Sequence, residues 1–165
     1  LYIDSFFINI KKISIPKRTY LSIPFLSHKL GLPLEWRDES WEDYYEISNS
    51  GIYDAAVLWK EMSYLSGTMM CLSFQFQKHL SLGRGGMILL DDKEAYDKLS
   101  KMVYDGRISD VPWRDQNVDT IGYHYYMTPE TAQLGIKKFQ DAIHTEPRRW
   151  VLEDWPDLTQ MEIFK

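Results

Sequence analysis

The stretch from residue 71 to residue 91 constrains the fold most, because two apolar runs are joined there by a loop that ends in glycines. The runs Cys71-Leu-Ser-Phe and Met87-Ile-Leu-Leu are typical of buried strands. Lys78 lies in the connecting loop, directly beyond the first run, and the loop continues into Gly83-Arg-Gly-Gly. The pattern predicts a lysine held at a strand end, where its amine can anchor an aldehyde cofactor.

Other apolar segments, separated by turn residues, predict further strands and helices. Asp92 is a good N-cap for a helix over residues 93–104, and Thr128 followed by Pro129 marks the start of another. A short helix is predicted from Phe25 to Gly31. Strands are predicted at residues 18–24, 34–36, 44–47, 51–56, 69–74 and 87–90. The alternation predicts an α/β fold with a largely parallel central sheet.

The helix that begins at Pro129 carries a continuous apolar stripe. Its members are Ala132, Gly135, Ile136, Phe139, Ala142 and Ile143. Their helical spacing predicts that the stripe packs into the core. The tail from Thr145 is rich in prolines and tryptophans, so we expect a docked, partly irregular tail. The six tryptophans are scattered, which favours core or subunit contacts over a sugar platform.

Composition limits the classes of protein to which the chain can belong. Its 165 residues fit one domain, and a hydrophobic content of 44% argues against a disordered chain. The net charge of −5, with acidic residues between short basic clusters, argues against a nucleic-acid partner. No run approaches the roughly 20 apolar residues that span a bilayer. We therefore expect no association with nucleic acid or membrane.

The chain has a single cysteine, Cys71, which favours a reducing compartment. Its apolar neighbours predict a packed, unreactive thiol, and we expect a cytoplasmic protein. The four histidines show no metal-ligand spacing, so no metal site is expected. The apolar start, Leu1-Tyr-Ile-Asp-Ser-Phe-Phe, is typical of a strand already under way. We expect residues 1–165 to be a single, N-terminally incomplete domain.

Three segments, in this order, resemble the DegT/DnrJ/EryC1/StrS family of sugar aminotransferases, which use pyridoxal 5′-phosphate (PLP). The family patterns are EDAA, SFxxxKxLxxGxGGM and GYNYRMSExQAALG. The chain has Tyr53-Asp-Ala-Ala, Ser73-Phe-Gln-Phe-Gln-Lys-His-Leu-Ser-Leu-Gly-Arg-Gly-Gly-Met and Gly122-Tyr-His-Tyr-Tyr-Met-Thr-Pro-Glu-Thr-Ala-Gln-Leu-Gly. The second match is the most specific. The resemblance, from about Ile52 to Phe139, implies the three-layer α/β/α major domain of fold-type I PLP-dependent transferases.

The resemblance implies roles for three residues. Lys78 would be catalytic, forming a Schiff base with PLP and later moving a proton. Asp54 would hold the pyridine nitrogen protonated, which strengthens the ring as an electron sink. Ser73 would donate to the cofactor phosphate. The plainer interpretations are a solvated lysine, a turn-capping aspartate and a serine that faces an adjacent strand.

The chain also departs from the family pattern. Val57 stands where the family often has glutamine or histidine near the cofactor, and Tyr126 replaces an arginine. His124 replaces an asparagine that reaches a neighbouring subunit's cofactor phosphate, so it either donates to that phosphate or is bonded locally. The family's phosphate-binding turn is not found upstream of Asp54. We expect the small C-terminal domain of longer relatives to be absent.

By this resemblance, the chain would pass an amino group from an amino acid such as glutamate to a nucleotide-linked keto sugar. It would act as a homodimer. One alternative is a PLP-dependent sugar dehydratase on the same scaffold, but such relatives often carry histidine in place of the lysine, so Lys78 favours transfer. A second alternative is a non-catalytic remnant that acts as a binding or regulatory module.

Overall fold

The computed structural model describes residues 10–165, so the strand expected at the start of the chain lies outside the described residues. Within this range there are six strands and three α-helices, followed by a tail built of short 3-10 turns. The strands are β1 Ile13–Pro16, β2 Leu34–Arg37, β3 Tyr45–Ile47, β4 Ile52–Asp54, β5 Met69–Ser73 and β6 Gly86–Leu89; the helices are α1 Ser22–Leu30, α2 Lys93–Val103 and α3 Pro129–Ala142.

The described strands form two sheets, β1-β2 and β3-β4-β5-β6. The pairs β1–β2 and β4–β5 are parallel, whereas β3–β4 and β5–β6 are antiparallel. The largely parallel sheet that the sequence predicts is therefore mixed in direction. The reason lies in the connections. Ser48, Asn49 and Gly51 take positive φ in a tight β3–β4 turn, and the β5–β6 loop contains no crossover helix, which parallel pairing usually requires.

One apolar cluster joins the two sheets. Ile13 and Ile15 of β1 are fully buried against Tyr45, Ile47 and Ile52 of the larger sheet. The contact is also hydrogen-bonded, since the Ser48 amide donates to the Ser14 carbonyl at 3.0 Å. This packing fixes β1, and the turn that follows it, beside the strand end that carries Asp54.

The strand predicted at residues 18–24 is wrong. The observed strand is β1, which ends at Pro16, and α1 already begins at Ser22. Pro24 lies in the first turn of the helix, where its missing N–H costs no hydrogen bond. Gly31 ends α1 as predicted, with φ of 65°. The proline thus accompanies a helix start that the apolar pattern alone did not reveal.

Helix α3 begins as predicted, because the Thr128 hydroxyl accepts a hydrogen bond from the Thr131 amide at 3.3 Å. The predicted core packing of its stripe holds for Gly135 and Ala142, which are buried. It is wrong for three others: Ile136 (72% exposed), Phe139 and Ile143 are exposed. Among residues 10–165, α3 is covered mainly along the edge that faces residues 74–85, the lysine loop, so the helix keeps an exposed apolar face.

The tail docks back onto the segment that follows β1, as expected. The Arg18 guanidinium donates to the Trp155 carbonyl at 2.7 Å, and the Leu158 amide donates to the Lys17 carbonyl at 2.9 Å. Trp155 and Leu158 are buried. The Lys17 ammonium lies 3.5 Å from the Asp157 carboxylate. Within residues 10–165, none of the helices is both long and apolar enough to cross a membrane.

Candidate functional site

A cavity of about 560 Å³ opens between the carboxyl ends of β4 and β5 and the docked tail. Asp54, Ser73 and Lys78, the three residues that the sequence singles out, all line it. The opposite wall comes from the tail, through Arg148, Trp150 and Trp155, and from the segment after β1, including Thr19 and Tyr20. Its volume is in the range of small-molecule and cofactor sites.

Asp54 is the last residue of β4 and is half-buried at the cavity wall. Desolvation raises the pKa of its carboxyl group. Three effects act in the opposite direction: hydrogen bonds from the Ala56 amide (3.0 Å) and the Tyr45 hydroxyl (2.8 Å), and the positive charge of Lys78. The turn-capping role is therefore present in the contact with Ala56. On balance the pKa of Asp54 stays above its ordinary value, and the tyrosine hydrogen bond and the lysine charge limit that rise.

Lys78 lies in the β5–β6 loop, where its amide donates to the Gln75 carbonyl at 2.8 Å. Its side chain is half-buried, and its ammonium nitrogen lies 4.7 Å from the Trp150 ring centre and 5.6 Å from that of Trp155. Desolvation lowers the pKa of this amine, the Asp54 charge raises it, and the Arg148 charge lowers it further. A larger fraction of the amine is therefore neutral, as a nucleophile requires.

Glycines give the lysine loop its shape. Gly83 and Gly85 have φ of 85° and 103°, a region that side chains rarely occupy. Both accept hydrogen bonds across the loop, Gly85 from the Phe74 amide at 2.9 Å. A Cβ atom at Gly86 would overlap the Leu72 carbonyl oxygen. These glycines therefore permit a turn and close packing of the strands after the lysine.

Ser73 ends β5, directly before the lysine loop. Its hydroxyl oxygen accepts a hydrogen bond from the Gln75 amide at 3.3 Å, so the hydroxyl proton is available to an acceptor in the cavity. Ser73 also pairs in register with Gly86 of β6. The position thus satisfies the plainer interpretation, a strand residue facing its neighbour, while still lining the cavity.

Helix α3 supports the lysine loop from behind. The His79 ring nitrogen Nε2 lies 2.8 Å from the Ala142 carbonyl, and the Trp59 indole donates to the same carbonyl at 3.2 Å. The Lys138 ammonium donates to the Ser81 carbonyl at 2.8 Å. The contacts of His79 and Ser81, directly after Lys78, hold the loop to a rigid element, which restricts the position of the lysine.

The residues that depart from the family pattern fall in two places. Val57 lines the cavity. His124 is exposed and bonded locally, with Nδ1 3.0 Å from the Asp105 carboxylate and Nε2 2.9 Å from the Tyr126 hydroxyl.

Cys71 also lines the cavity wall, but burial raises the pKa of its thiol to about 12. It therefore remains protonated, in agreement with the expected unreactive thiol.

Sequence reasoning missed the aromatic wall of the cavity. Trp41, Trp150 and Trp155 line it, although the spacing of the tryptophans favoured core or subunit contacts. Trp155 stacks on Trp150 with ring centres 5.3 Å apart and also packs against Trp41 at 5.7 Å. The available signal was the density of tryptophan and arginine in a tail expected to dock; nothing in the sequence showed where it docks.

The residues in the cavity fit an aldehyde cofactor with a basic ring and an anionic group. A half-buried lysine with a lowered pKa, a carboxylate at a strand end and a free serine hydroxyl supply one group for each part. In an α/β fold, these are the features of proteins that hold such a cofactor through a lysine.

The chain belongs to the DegT/DnrJ/EryC1/StrS aminotransferase family. The model of that family matches residues 60–152, more than half of the chain. Ser73 and Lys78 lie within the matched range, whereas Asp54 lies before it. No curated protein matches the chain in sequence.

A crystal structure of a protein assigned as a PLP-dependent aminotransferase, from Bacillus cereus ATCC 10987, shares the fold with a TM-score of 0.60 and 17% identity. The match covers 83% of this chain and 49% of that one, so the chain spans about half the length of that structure. The likeness confirms the predicted fold class, the α/β fold of the PLP-dependent aminotransferases.

Proposed function

We propose that the protein is a PLP-dependent aminotransferase that moves an amino group from an amino acid, glutamate in the first instance, to a nucleotide-linked keto sugar. Membership of the aminotransferase family and the shared fold support the class of reaction. The observation that carries the proposal is the cavity lined by both Lys78 and Asp54. The two side chains interact electrostatically, and the pKa of Lys78 is lowered. The described residues would form the cofactor-binding part of the major domain.

Bound PLP would supply an aldehyde for covalent attachment and a ring that withdraws electrons from the reacting carbon. The role of Lys78 is to present a neutral amine at the cavity wall and, once freed, to carry a proton between neighbouring atoms. Its loop, braced by α3, restricts where that proton is delivered. The Trp150 and Trp155 rings face the amine from the tail and hold it at the cavity wall, while burial keeps its pKa low.

Asp54 would provide the negative charge that holds a protonated ring nitrogen. The two oxygens each accept one hydrogen bond from the protein, leaving further lone pairs for a donor in the cavity. Ser73 would donate its hydroxyl proton to the phosphate. The two residues end neighbouring parallel strands, β4 and β5, which sets the separation between the ring-binding and phosphate-binding ends of the site.

We also propose that the protein is a homodimer in the cytoplasm. The exposed apolar side chains of α3 support association, because exposed apolar patches of this kind mark contact surfaces. Ile136, Phe139 and Ile143 are all exposed and share one face of the helix. The high thiol pKa of Cys71 and the single cysteine are compatible with a reducing compartment.

The test is covalent labelling. Protein incubated with PLP is reduced with borohydride and digested, and the peptides are mapped by mass. We expect the cofactor mass on Lys78. Lys60, an exposed lysine, provides the matched control, and the Lys60→Arg variant should label as the unaltered chain does. The Lys78→Arg variant should lose the label.

Labelling of a different lysine at saturating PLP would contradict the assignment of Lys78. Complete absence of label would favour the non-catalytic binding module over both enzyme interpretations. A labelled protein that exchanges amino groups between glutamate and bound PLP is a transferase. A labelled protein that removes water from a sugar nucleotide without amino transfer is a dehydratase.

A further inference from the structure

Two buried hydroxyl groups, those of Tyr45 and Thr19, form a hydrogen-bonded chain that ends at Asp54. Tyr45 on β3 is 4% exposed, and its hydroxyl donates to the Asp54 carboxylate at 2.8 Å. Thr19, 2% exposed, lies in the segment between β1 and α1, and its hydroxyl oxygen is 2.6 Å from that of Tyr45. Only Thr19 touches the cavity wall.

The direction of these hydrogen bonds follows from counting protons. A phenol has one O–H proton, and Tyr45 uses it toward Asp54. The contact between the two hydroxyl groups therefore has Thr19 as donor and the Tyr45 oxygen as acceptor. Both donors point toward the carboxylate. Such a chain polarises each hydrogen bond and stabilises the negative charge at its end.

We propose that Tyr45, held by Thr19, is a positioning residue that keeps the Asp54 carboxylate ionised and aimed into the cavity. The inference rests on the proposed function, in which Asp54 holds a protonated cofactor ring. It assigns to β3 a part in the site. No segment of the family resemblance includes β3, which precedes the matched range of residues.

The rest of the surroundings show why a donor is needed here. Desolvation of Asp54 favours the neutral carboxyl form, which cannot balance a cationic ring. The charged and titratable groups that interact with the pair are Lys78, which favours ionisation of Asp54, Cys71, which stays neutral, and Arg37, which acts on Tyr45. The Ala56 amide satisfies only the other carboxylate oxygen. Without Tyr45, the oxygen Oδ2 loses its hydroxyl donor.

The experiment measures PLP affinity by absorbance titration across a range of pH for five forms of the chain: unaltered, Tyr45→Phe, Asp54→Asn, the double variant and Tyr64→Phe. Loss of PLP as pH falls reports protonation of Asp54. We expect Tyr45→Phe to weaken PLP binding about tenfold near neutral pH. The loss of PLP affinity at low pH, the acid limb of the titration, should move to higher pH. Tyr64→Phe removes a hydroxyl that donates to the Thr68 carbonyl, away from Asp54, and should bind as the unaltered chain does.

The double variant separates positioning from packing. If Tyr45 acts through the charge of Asp54, then Tyr45→Phe has little further effect once Asp54 is asparagine. An equal loss in both backgrounds would show a merely structural role and overturn the inference, as would unaltered affinity and pH dependence in Tyr45→Phe. Thr19→Ser should retain the acid limb, whereas Thr19→Val should move it as Tyr45→Phe does, by a smaller amount.

Failure of this inference is distinguishable from failure of the proposed function. The proposed function fails if Lys78 takes no label from PLP and borohydride. The inference alone fails if Lys78 is labelled and Asp54→Asn changes binding, but Tyr45→Phe does not. Thermal unfolding of each variant, followed by near-ultraviolet circular dichroism, verifies that the β3 core has not collapsed.

Discussion

At the scale of single residues, Asp54 and Lys78 shift each other's ionisation in opposite senses. Desolvation pushes both groups toward their neutral forms, raising the pKa of Asp54 and lowering that of Lys78, while their mutual attraction resists this. Asp54 has two hydrogen-bond donors of its own, whereas Lys78 rests on aromatic rings. The hydrogen bonds and Lys78 thus support the charged form of Asp54, while the lowered pKa of Lys78 lets its amine give up a proton.

We expect Asp54→Asn to fold and to attach PLP at saturating cofactor. It should transfer the amino group of the amino-acid donor about a thousandfold more slowly. An amide carries no charge to balance a protonated ring, and such a pair contributes on the order of 4 kcal/mol at 4 Å and an effective dielectric near 20. The measurement is the single-turnover reaction with glutamate, followed by absorbance of the bound cofactor.

Asp91→Asn is the matched control for that change. Asp91 also follows a strand, β6, but its carboxylate accepts hydrogen bonds from Ser66 and Gly67, away from the cavity. Its variant should keep the transfer rate even if the loop is destabilised. A near-normal transfer rate in Asp54→Asn would show that Asp54 only caps the turn at Ala56.

Much of the candidate site could be predicted from the sequence, because its residues lie in one continuous pattern. Ser73, Lys78 and the glycines after them occupy a single strand–loop–strand unit, so their spacing alone defines their geometry. Tyr45 and Trp155 could not be predicted in the same way. They reach Asp54 and Lys78 through pairing and docking between distant segments, which no local pattern encodes.

At the scale of elements, the β5–β6 hairpin determines the position of Lys78. Its register places Ser73 opposite Gly86, and the close approach of the two strands excludes a side chain at that glycine. The residues that begin or end helices were predicted well. Asp92, Thr128 and Gly31 act on their immediate neighbours in the chain. Strand direction was predicted less well: β3–β4 and β5–β6 are antiparallel because their connections are short and contain no helix.

We expect Gly86→Ala to destabilise the protein by about 1–3 kcal/mol, because the new methyl group overlaps the Leu72 carbonyl and forces the strands apart. Gly135→Ala is the control. Its methyl group would meet the end of the Leu82 side chain at 3.1 Å, and alanine favours a helix by up to ~1 kcal/mol. Its effect should stay within about 1 kcal/mol. Urea unfolding measures both, and equal effects would contradict the close strand approach.

At the scale of the whole molecule, the apolar face of α3 is the main difference from the predicted core. The 3.6-residue period correctly located the apolar stripe, but a period cannot tell whether a second layer covers it. Gly135 and Ala142 pack on the lysine loop, whereas Ile136 is uncovered.

If a second copy covers this face, Ile136→Lys should shift the protein from dimer to monomer while leaving monomer stability within about 0.5 kcal/mol. A lysine buried in an interface is strongly disfavoured, whereas on a free surface it is tolerated. Asp141→Lys places a lysine at an exposed polar position on the other side of the same helix and should remain dimeric. Light scattering after size exclusion gives both masses. A dimer unaffected by Ile136→Lys would place the interface elsewhere.

The docking of the tail has a consequence for synthesis on the ribosome. Arg18 and Trp155, joined by a hydrogen bond, are 137 positions apart. At roughly 5–20 residues per second, about 7 to 27 seconds separate their synthesis. In the later part of that interval Asp54 and Lys78 have been synthesised, while Trp150 and Trp155 of the cavity wall have not. A cofactor that arrives during translation therefore meets an open cleft, and one that arrives after release meets a walled cavity.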